Sequence, residues 1–249
     1  MKISAIIPTL NEEINIEQAI DSVSFADEII VIDSYSTDNT VKLAKKHDVK
    51  IIQRVFDDFS RQKNFAITKA KYDWIYVLDA DERVSPKLKK EILEVAEAPN
   101  DFVGYYVYRT FYFIDKKLKY SGWRNDKAVR LFNRKYCKYN GNLVHEVIKA
   151  DGKLGFLKNK LDHFSYQSFN QYSNKLNRYA WLQARELQEK GLKLNPYHIL
   201  IKPPFRFFLH YFLKLGFLDG FRGFIISVLL SYGVLVRYIK LWLLKHKLK

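Results

Sequence analysis

Hydrophobic and polar positions change rhythm twice along this chain. Through the first hundred residues, short apolar runs at 3–7, 28–33, 50–54 and 74–78 alternate with stretches whose apolar positions recur every three or four residues. Those stretches start near Glu12, near Asp38, at Phe59 (59–71) and after Ser85. A run such as Ile75-Tyr76-Val77-Leu78, without polar alternation, reads as a strand buried on both faces. Strands separated by helices predict βαβ units and a parallel sheet with right-handed crossovers. Ser85 as N-cap and Pro86 in the first turn announce the helix that follows the fourth run.

From residue 102 the rhythm is strand-like: 103–114, 128–133 and 143–148 follow one another without helical patterns, which predicts antiparallel strands extending the sheet. A single amphipathic helix is expected over 168–190, with Gly191 as its stop signal. Beyond Pro203-Pro204 come two apolar, aromatic stretches, 205–217 and 221–244. Their longest charge-free run, 223–236, is shorter than the roughly 20 residues that span a bilayer, and Arg222 and Arg237 bound it. These stretches read either as helices lying in a membrane interface or as a hairpin packed in a core or a dimer. The expected class is α/β, organised as 1–101, a second part of the same domain at 102–166, and a helical C-terminal region at 167–249.

Composition narrows the partners. The 249 residues carry a formal charge of +15 and are 48% hydrophobic, enough for a full core and a polyanionic neighbour. Residues 197–249 hold nine Lys and Arg against the single acid Asp219, interleaved with Phe, Leu, Ile, Tyr and Trp. That interleaving points to an anionic membrane surface more than to nucleic acid, which would also leave the acids of the fourth run unexplained. Cys137 is the one cysteine, so no internal disulfide forms. The opening apolar run is too short for a signal-peptide core and turns acidic at once, which predicts a cytosolic site of action.

The chemistry gathers where the fourth run ends, in Asp79-Ala80-Asp81-Glu82. Two carboxylates at i and i+2 on the C-terminal tip of a parallel strand can converge on one hard divalent cation; the bland alternative is a solvated acidic turn. At the same expected sheet edge lie Pro8-Thr9-Leu10-Asn11-Glu12 and the loop from Asp33 to Thr40, suited to a nucleotide's ribose and base. Ser36 and Thr37 read as helix caps, and Asp33, at a strand tip that needs no cap, as a ligand contact. Neither G-x-G-x-x-G nor G-x-x-x-x-G-K-[ST] occurs, which counts against dinucleotide binding and P-loop hydrolysis. Arg61 and Lys63, near a helix start, either face phosphate oxygens or are surface charge. Trp123, beside Arg124, and Arg130 are candidate acceptor contacts, a sugar-stacking face and a phosphate-pairing guanidinium, with a buried Trp123 as the alternative.

The motifs P-T-x-N-E, D-S-x-S-x-D-x-T, Q-K-N-x-A and D-A-D-E, in this order over residues 3–83, resemble the N-terminal half of family-two nucleotide-sugar glycosyltransferases with the GT-A fold. The resemblance implies that Pro8, Thr9, Asn11, Glu12 and Asp33 bind the nucleoside and that Lys63 lies near the donor. It further implies that Asp79, Ala80 and Asp81 meet the donor pyrophosphate, the two aspartates through Mg²⁺ or Mn²⁺, so that 1–101 is the donor half and 102–166 the acceptor side. An inverting transfer needs a base for the acceptor hydroxyl, a role that suits Glu146. V-H-E after R-L-F, and G-F-L-D-G-F-R-G-F at 216–224, are similar to the small lipopolysaccharide-core β-1,4-glucosyltransferase subgroup. Larger relatives usually carry a pair of acids at the base position, so His145 is a departure, grouped here with the acceptor. His163 matches the family's C-terminal metal histidine or is a core histidine. The expectation is transfer of glucose from UDP-glucose to a lipid-anchored envelope glycan, by a peripheral enzyme on the cytoplasmic face of the inner membrane. Transfer to a polyprenyl phosphate, a capsule or a protein glycan is the enzymatic alternative, and a basic nucleotide- or nucleic-acid-binding module the non-enzymatic one.

Overall fold

The computed structural model describes residues 1–97, 101–114, 116–123, 126–141, 147–166 and 169–248. In chain order β1 (Ile3–Thr9), α1 (Ile16–Ser22), β2 (Glu28–Asp33), α2 (Thr40–Ala44), β3 (Lys50–Gln53), α3 (Phe59–Thr68) and β4 (Trp74–Val77) realise the alternation of the sequence. The two-residue β5 (Glu82–Arg83) and α4 (Pro86–Glu97) follow. The strands lie in the order β3-β2-β1-β4, all parallel. The lack of polar alternation in their central residues has its reason in two cores: Ile3, Ala5, Ile7, Tyr76 and Leu78 pack on α1 and α4, and the alternate residues Ile6, Ile75 and Val77 pack on α3. The cap expected at Ser85 forms, its Oγ accepting from Leu88 N at 3.3 Å, and at α3 the Asp58 carboxylate accepts from Arg61 N at 2.7 Å, a cap that was not expected.

The antiparallel extension consists of β6 (Phe102–Phe113), the short β7 (Lys116–Lys117) and β8 (Lys127–Asn133), with β8 paired between β4 and β6. β9 (Cys137–Tyr139) and β10 (Ile148–Ala150) make a separate ribbon. Of the strand expected at 143–148, residues 143–146 lie outside the described residues. β11 (Lys153–Phe156) runs parallel to β6, and β12 (Leu161–Tyr166) pairs with β5 through Asp162 and His163.

The chain divides into two compact units, Met1–Arg109 with Lys127–His163, and Thr110–Asp126 with Phe164–Lys249. This differs from the sequential 1–101, 102–166 and 167–249 of the sequence reading, because 110–126 is tied to the tail. The Asp219 carboxylate accepts from Lys119 N at 3.0 Å, Tyr120 N at 2.9 Å and Ser121 Oγ at 3.2 Å, while Ser121 N donates to Lys214 O at 2.9 Å. Phe111, Phe113 and Leu118 share a core with Tyr172, Ile226 and Leu229.

In this second unit α5 (Phe169–Glu189) and α6 (Lys202–Phe208) pack on α7 (Gly220–Lys245). The helix expected at 205–217 is broken into α6 and irregular helical turns, which end where Leu215 adopts φ 56°. At 26 residues α7 is about 39 Å long. It lies in the one described helix long and apolar enough, by length and composition alone, to cross a membrane, and 28% of its most apolar stretch is buried. Two glycines of α7 differ sharply in surroundings: a Cβ on Gly223 would lie 1.8 Å from Gly216 O, but on Gly233 it would meet Leu176 Cδ1 at 3.5 Å. Gly223→Ala is therefore expected to cost about 3 kcal/mol as overpacking against backbone. Gly233→Ala should be neutral or gain up to about 1 kcal/mol in helix propensity. Thermal melts followed by circular dichroism check this, and equal shifts in the two variants would refute the close approach.

Candidate active site at the strand tips

Parallel register alone brings the chemistry to one edge. Thr9 pairs with Asp33, Asp33 with Gln53 and Ile6 with Val77, and Leu78 N donates to Ile6 O at 3.0 Å. The loops after β1, β2 and β4 therefore leave the sheet side by side, where open α/β sheets bind ligands.

The first two loops are laced together, and α1 starts at Ile16 rather than near Glu12. Asn11, at φ 55°, accepts from Thr37 N at 2.8 Å through its side chain and donates its own N–H to Ser36 Oγ at 2.9 Å. Glu12 N donates to Thr40 Oγ1 at 2.8 Å and Glu13 N to Asp38 Oδ2 at 3.1 Å. Asp33 is fully buried and its carboxylate accepts from Ser36 N, Ser36 Oγ and Gln53 Nε2. Ser36, read from sequence as a cap, instead holds this strand-tip acid. Pro8 precedes the buried Thr9, whose hydroxyl has no hydrogen-bond partner among the described residues.

The third loop carries acids that the fold compensates one by one. Lys63, on α3 and 3% exposed, reaches Asp79 Oδ1 at 3.0 Å. Arg130, on β8 and 3% exposed, reaches Asp79 Oδ2 at 2.6 Å and also pairs with Glu82. Glu82 is wholly buried, accepts from Asp79 N at 3.1 Å and has Arg109 of β6 at 3.4 Å. Arg83 donates to the carbonyls of Ala80 and Glu82 at 2.7 Å and to that of Asn15 at 3.0 Å, tying this loop to the first. Asp81, 7% exposed, faces His163 of β12, with Oδ1 and Nε2 3.4 Å apart.

Burial raises the Asp79 carboxyl, but Arg130 and Lys63 outweigh it and hold the group far below the ordinary aspartate value. For Arg130 burial opposes the charge, and Asp79 and Glu82 overcome it and raise the guanidinium well above its ordinary value. A depressed carboxyl stabilises the fold above the unfolded value of about 4, and that contribution is lost as pH falls below it.

Arg130 is buried and paired with Asp79 and Glu82. Of the expected metal set, Asp79 has its two oxygens on Lys63 and Arg130, and Asp81 lies beside His163. Among the described residues no three His, Cys, Asp or Glu groups converge into a closed cage. An open pair of oxygen and nitrogen donors still fits Mg²⁺ or Mn²⁺, which take a few protein ligands and complete their shell with water and substrate phosphates. Arg61 is exposed and pairs with Asp58, as surface charge would. Trp123 lies in the second unit, its ring stacked on Phe111 at 3.9 Å between centroids. Glu146 and His145 lie outside the described residues. The roles of Glu82, Arg83 and Arg109 were missed from sequence; the lone cation in the aromatic run of β6 was the available signal for Arg109.

Residues 4–151 match the family described as Glycosyl transferase family 2. An uncharacterized glycosyltransferase of Rickettsia felis is 34% identical over 254 residues, covering 96% of this chain and 89% of its own length. The lipopolysaccharide core biosynthesis glycosyltransferase LpsC of Rhizobium meliloti is 29% identical over 232 residues, with 90% and 86% covered. Glucosyl-3-phosphoglycerate synthase of Mycobacterium tuberculosis, solved with Mn²⁺, UDP and glucosyl-3-phosphoglycerate, overlaps 45% of this chain and 44% of its own at 24% identity and a TM-score of 0.38.

Replacing Arg130 with Met would leave buried Glu82 with the longer Arg109 contact as its remaining ion pair among the described residues, beside the hydrogen bond from Asp79 N. Arg130→Met is expected to destabilise by about 3–5 kcal/mol, whereas Arg61→Ala, at an exposed pair, should cost under about 1 kcal/mol. Urea unfolding of both variants measures the contrast, and a small effect at Arg130 would contradict the charge network.

Proposed function

The chain belongs to glycosyl transferase family 2 and has the mixed α/β GT-A architecture, and from that premise we propose an inverting, metal-dependent transfer of glucose from UDP-glucose to a lipid-anchored envelope glycan such as lipopolysaccharide core. The observation that carries this reading is the edge where Asp33, Lys63, Asp79, Asp81 and His163 are assembled by strand register and buried ion pairs.

In this reading Pro8, Thr9, Asn11, Glu12 and Asp33 hold the nucleoside, using the laced loops as a preorganised wall. Lys63 and Arg130 fix Asp79, and Asp79 and Ala80 form the floor beneath the diphosphate. Asp81 and His163 would hold the Mg²⁺ or Mn²⁺, whose charge would offset that gathering on the departing diphosphate. Glu146 takes the proton of the acceptor hydroxyl as that oxygen forms its bond to the anomeric carbon, and the sugar–diphosphate bond breaks with its electron pair leaving on UDP.

The envelope acceptor is supported by the similarity to a lipopolysaccharide core enzyme. In this reading the protein is peripheral, on the cytoplasmic face of the inner membrane; exposed Phe205, Phe212, Phe221 and Trp242 support the membrane association itself. Charge supports it too: the 42 Lys and Arg divide into 24 and 18 between the first and second units, and the 27 Asp and Glu into 22 and 5. The formal +15 is thus about +2 and +13, and a basic, aromatic surface suits anionic lipid.

A panel of nucleotide sugars tested for metal-dependent thermal stabilisation identifies the donor, since a ligand of the native state raises apparent stability. Asp81→Ala is expected to lose the metal-dependent part of that shift and all transfer. Glu146→Gln should keep UDP binding while transfer falls by about 10²–10⁴-fold; transfer at the parent rate would remove Glu146 from the mechanism.

A further inference from the structure

Two stretches singled out in the sequence, Ser121-Gly122-Trp123 and residues 216–224, have no part in the donor site, and the second unit joins them. Asp219 binds the 119–121 backbone as described above, and His210 Nδ1 lies 2.7 Å from Ser121 O. Beside this knot is a cavity of about 340 Å³, within the size range of small-molecule sites, lined by Trp123, Arg206, His210 and Lys214 together with Asp126 and Leu230.

Three polar atoms that face this region lack counterparts among the described residues. Trp123 Nε1, Arg206 Nε and His210 Nε2 are buried with no hydrogen-bond partner among the described residues, and His210 is 4% exposed. The charged groups felt by Arg206 and Lys214 are cations, Arg237 acting on Arg206 and Arg206 on the Lys214 at the exposed rim. Asp126 is the one carboxylate in the lining. Because a carbonyl can only accept, the contact with Ser121 O puts the proton on Nδ1 and leaves Nε2 as an acceptor in the neutral ring. Burial, with Arg206 and Lys214 adding to it, pulls His210 down to about 4, so the ring is neutral at pH 7. Gly122, at φ 94°, leaves the cradle open: a Cβ there would lie 2.8 Å from Lys214 Cδ and 3.3 Å from His210 Cε1.

We propose that this cavity binds a phosphoester, with Arg206 and Lys214 on the phosphate oxygens, the Trp123 indole N–H donating to one of them, and His210 Nε2 accepting from a hydroxyl of the phosphate or of its alcohol. Stacking on Phe111 fixes the indole plane, and the arrangement supplies charge-assisted donors to an oxyanion and one acceptor to a neighbouring O–H. A glycerophosphate lipid headgroup and a soluble sugar or glycerol phosphate share this chemistry. The site is built by the second unit alone, independently of the donor reading.

The test uses the full chain in neutral detergent, titrated calorimetrically with glycerol 3-phosphate, and sedimented with phosphatidylglycerol or phosphatidylcholine vesicles. The parent is expected to bind glycerol 3-phosphate, or phosphatidylglycerol in preference to phosphatidylcholine. Arg206→Gln/Lys214→Gln should weaken that binding at least tenfold, Gly122→Ala should weaken it as well, and Asp81→Ala should leave it unchanged. Binding to the vesicles alone assigns the phosphoester to lipid, and binding to glycerol 3-phosphate to a soluble ligand. Arg206→Gln should melt no lower than the parent, because it removes a cation facing cations, whereas a merely structural arginine would lower the melting temperature. If the double variant fails to fold, Lys214→Met is judged by the same binding criterion. Parent-like binding by a folded variant, loss of binding in Asp81→Ala, or no binding of either probe by the parent would each overturn the proposal.

Discussion

Three acids within four residues, at the end of a strand buried on both faces, are the constraint around which the first unit is built. A carboxylate as enclosed as Glu82 is tolerated only when opposite charge and hydrogen bonds replace the water it has lost. For Glu82 the replacements come from separate elements, Arg130 from β8, Arg109 from β6 and the backbone of its own loop, while Lys63 from α3 joins Arg130 on the neighbouring Asp79. The antiparallel strands are therefore more than an extension of the sheet. They deliver the guanidinium groups without which the loop after β4 could not stay folded inward. The same pairing orders Asp79 before any ligand arrives, so little reorganisation is left for the moment of binding.

What the sequence made legible follows from periodicity and from turn chemistry. β1, β2 and β4 were readable because burial on both faces leaves a strand without regular polar alternation, and α4 because Ser85 and Pro86 mark its start. Asp33 and Asp79 were readable as strand-tip acids because parallel order puts all such tips on one edge. Other features depend on partners distant in sequence. Arg130 looked like a cation on an apolar strand, and only the pairing of β8 with β4 turns it toward Asp79 and Glu82. The segment ahead of α1 likewise depends on distant partners, since Thr40 Oγ1 and Asp38 Oδ2 of the second loop accept from Glu12 N and Glu13 N. Residues 209–219 carry a helical pattern but not a regular helix, because Leu215 turns left-handed and Asp219 is drawn to the 119–121 backbone.

The net charge of the whole chain concealed a contrast between its parts. In the first unit basic and acidic side chains nearly balance, and the buried cations have acids beside them. In the second, cations outnumber acids more than threefold, and those nearest the cavity by Trp123 have other cations as neighbours. Compensated charge of the first kind specifies a fold. Uncompensated charge lowers the stability of the isolated protein, so its retention beside buried, unpartnered donors is most simply explained by an anion that completes it. The aromatic residues interleaved with those cations have the complementary property, an apolar body that water solvates poorly. A lipid surface with phosphate headgroups satisfies both at once, and nucleic acid would leave most of the exposed phenylalanines of this unit in water.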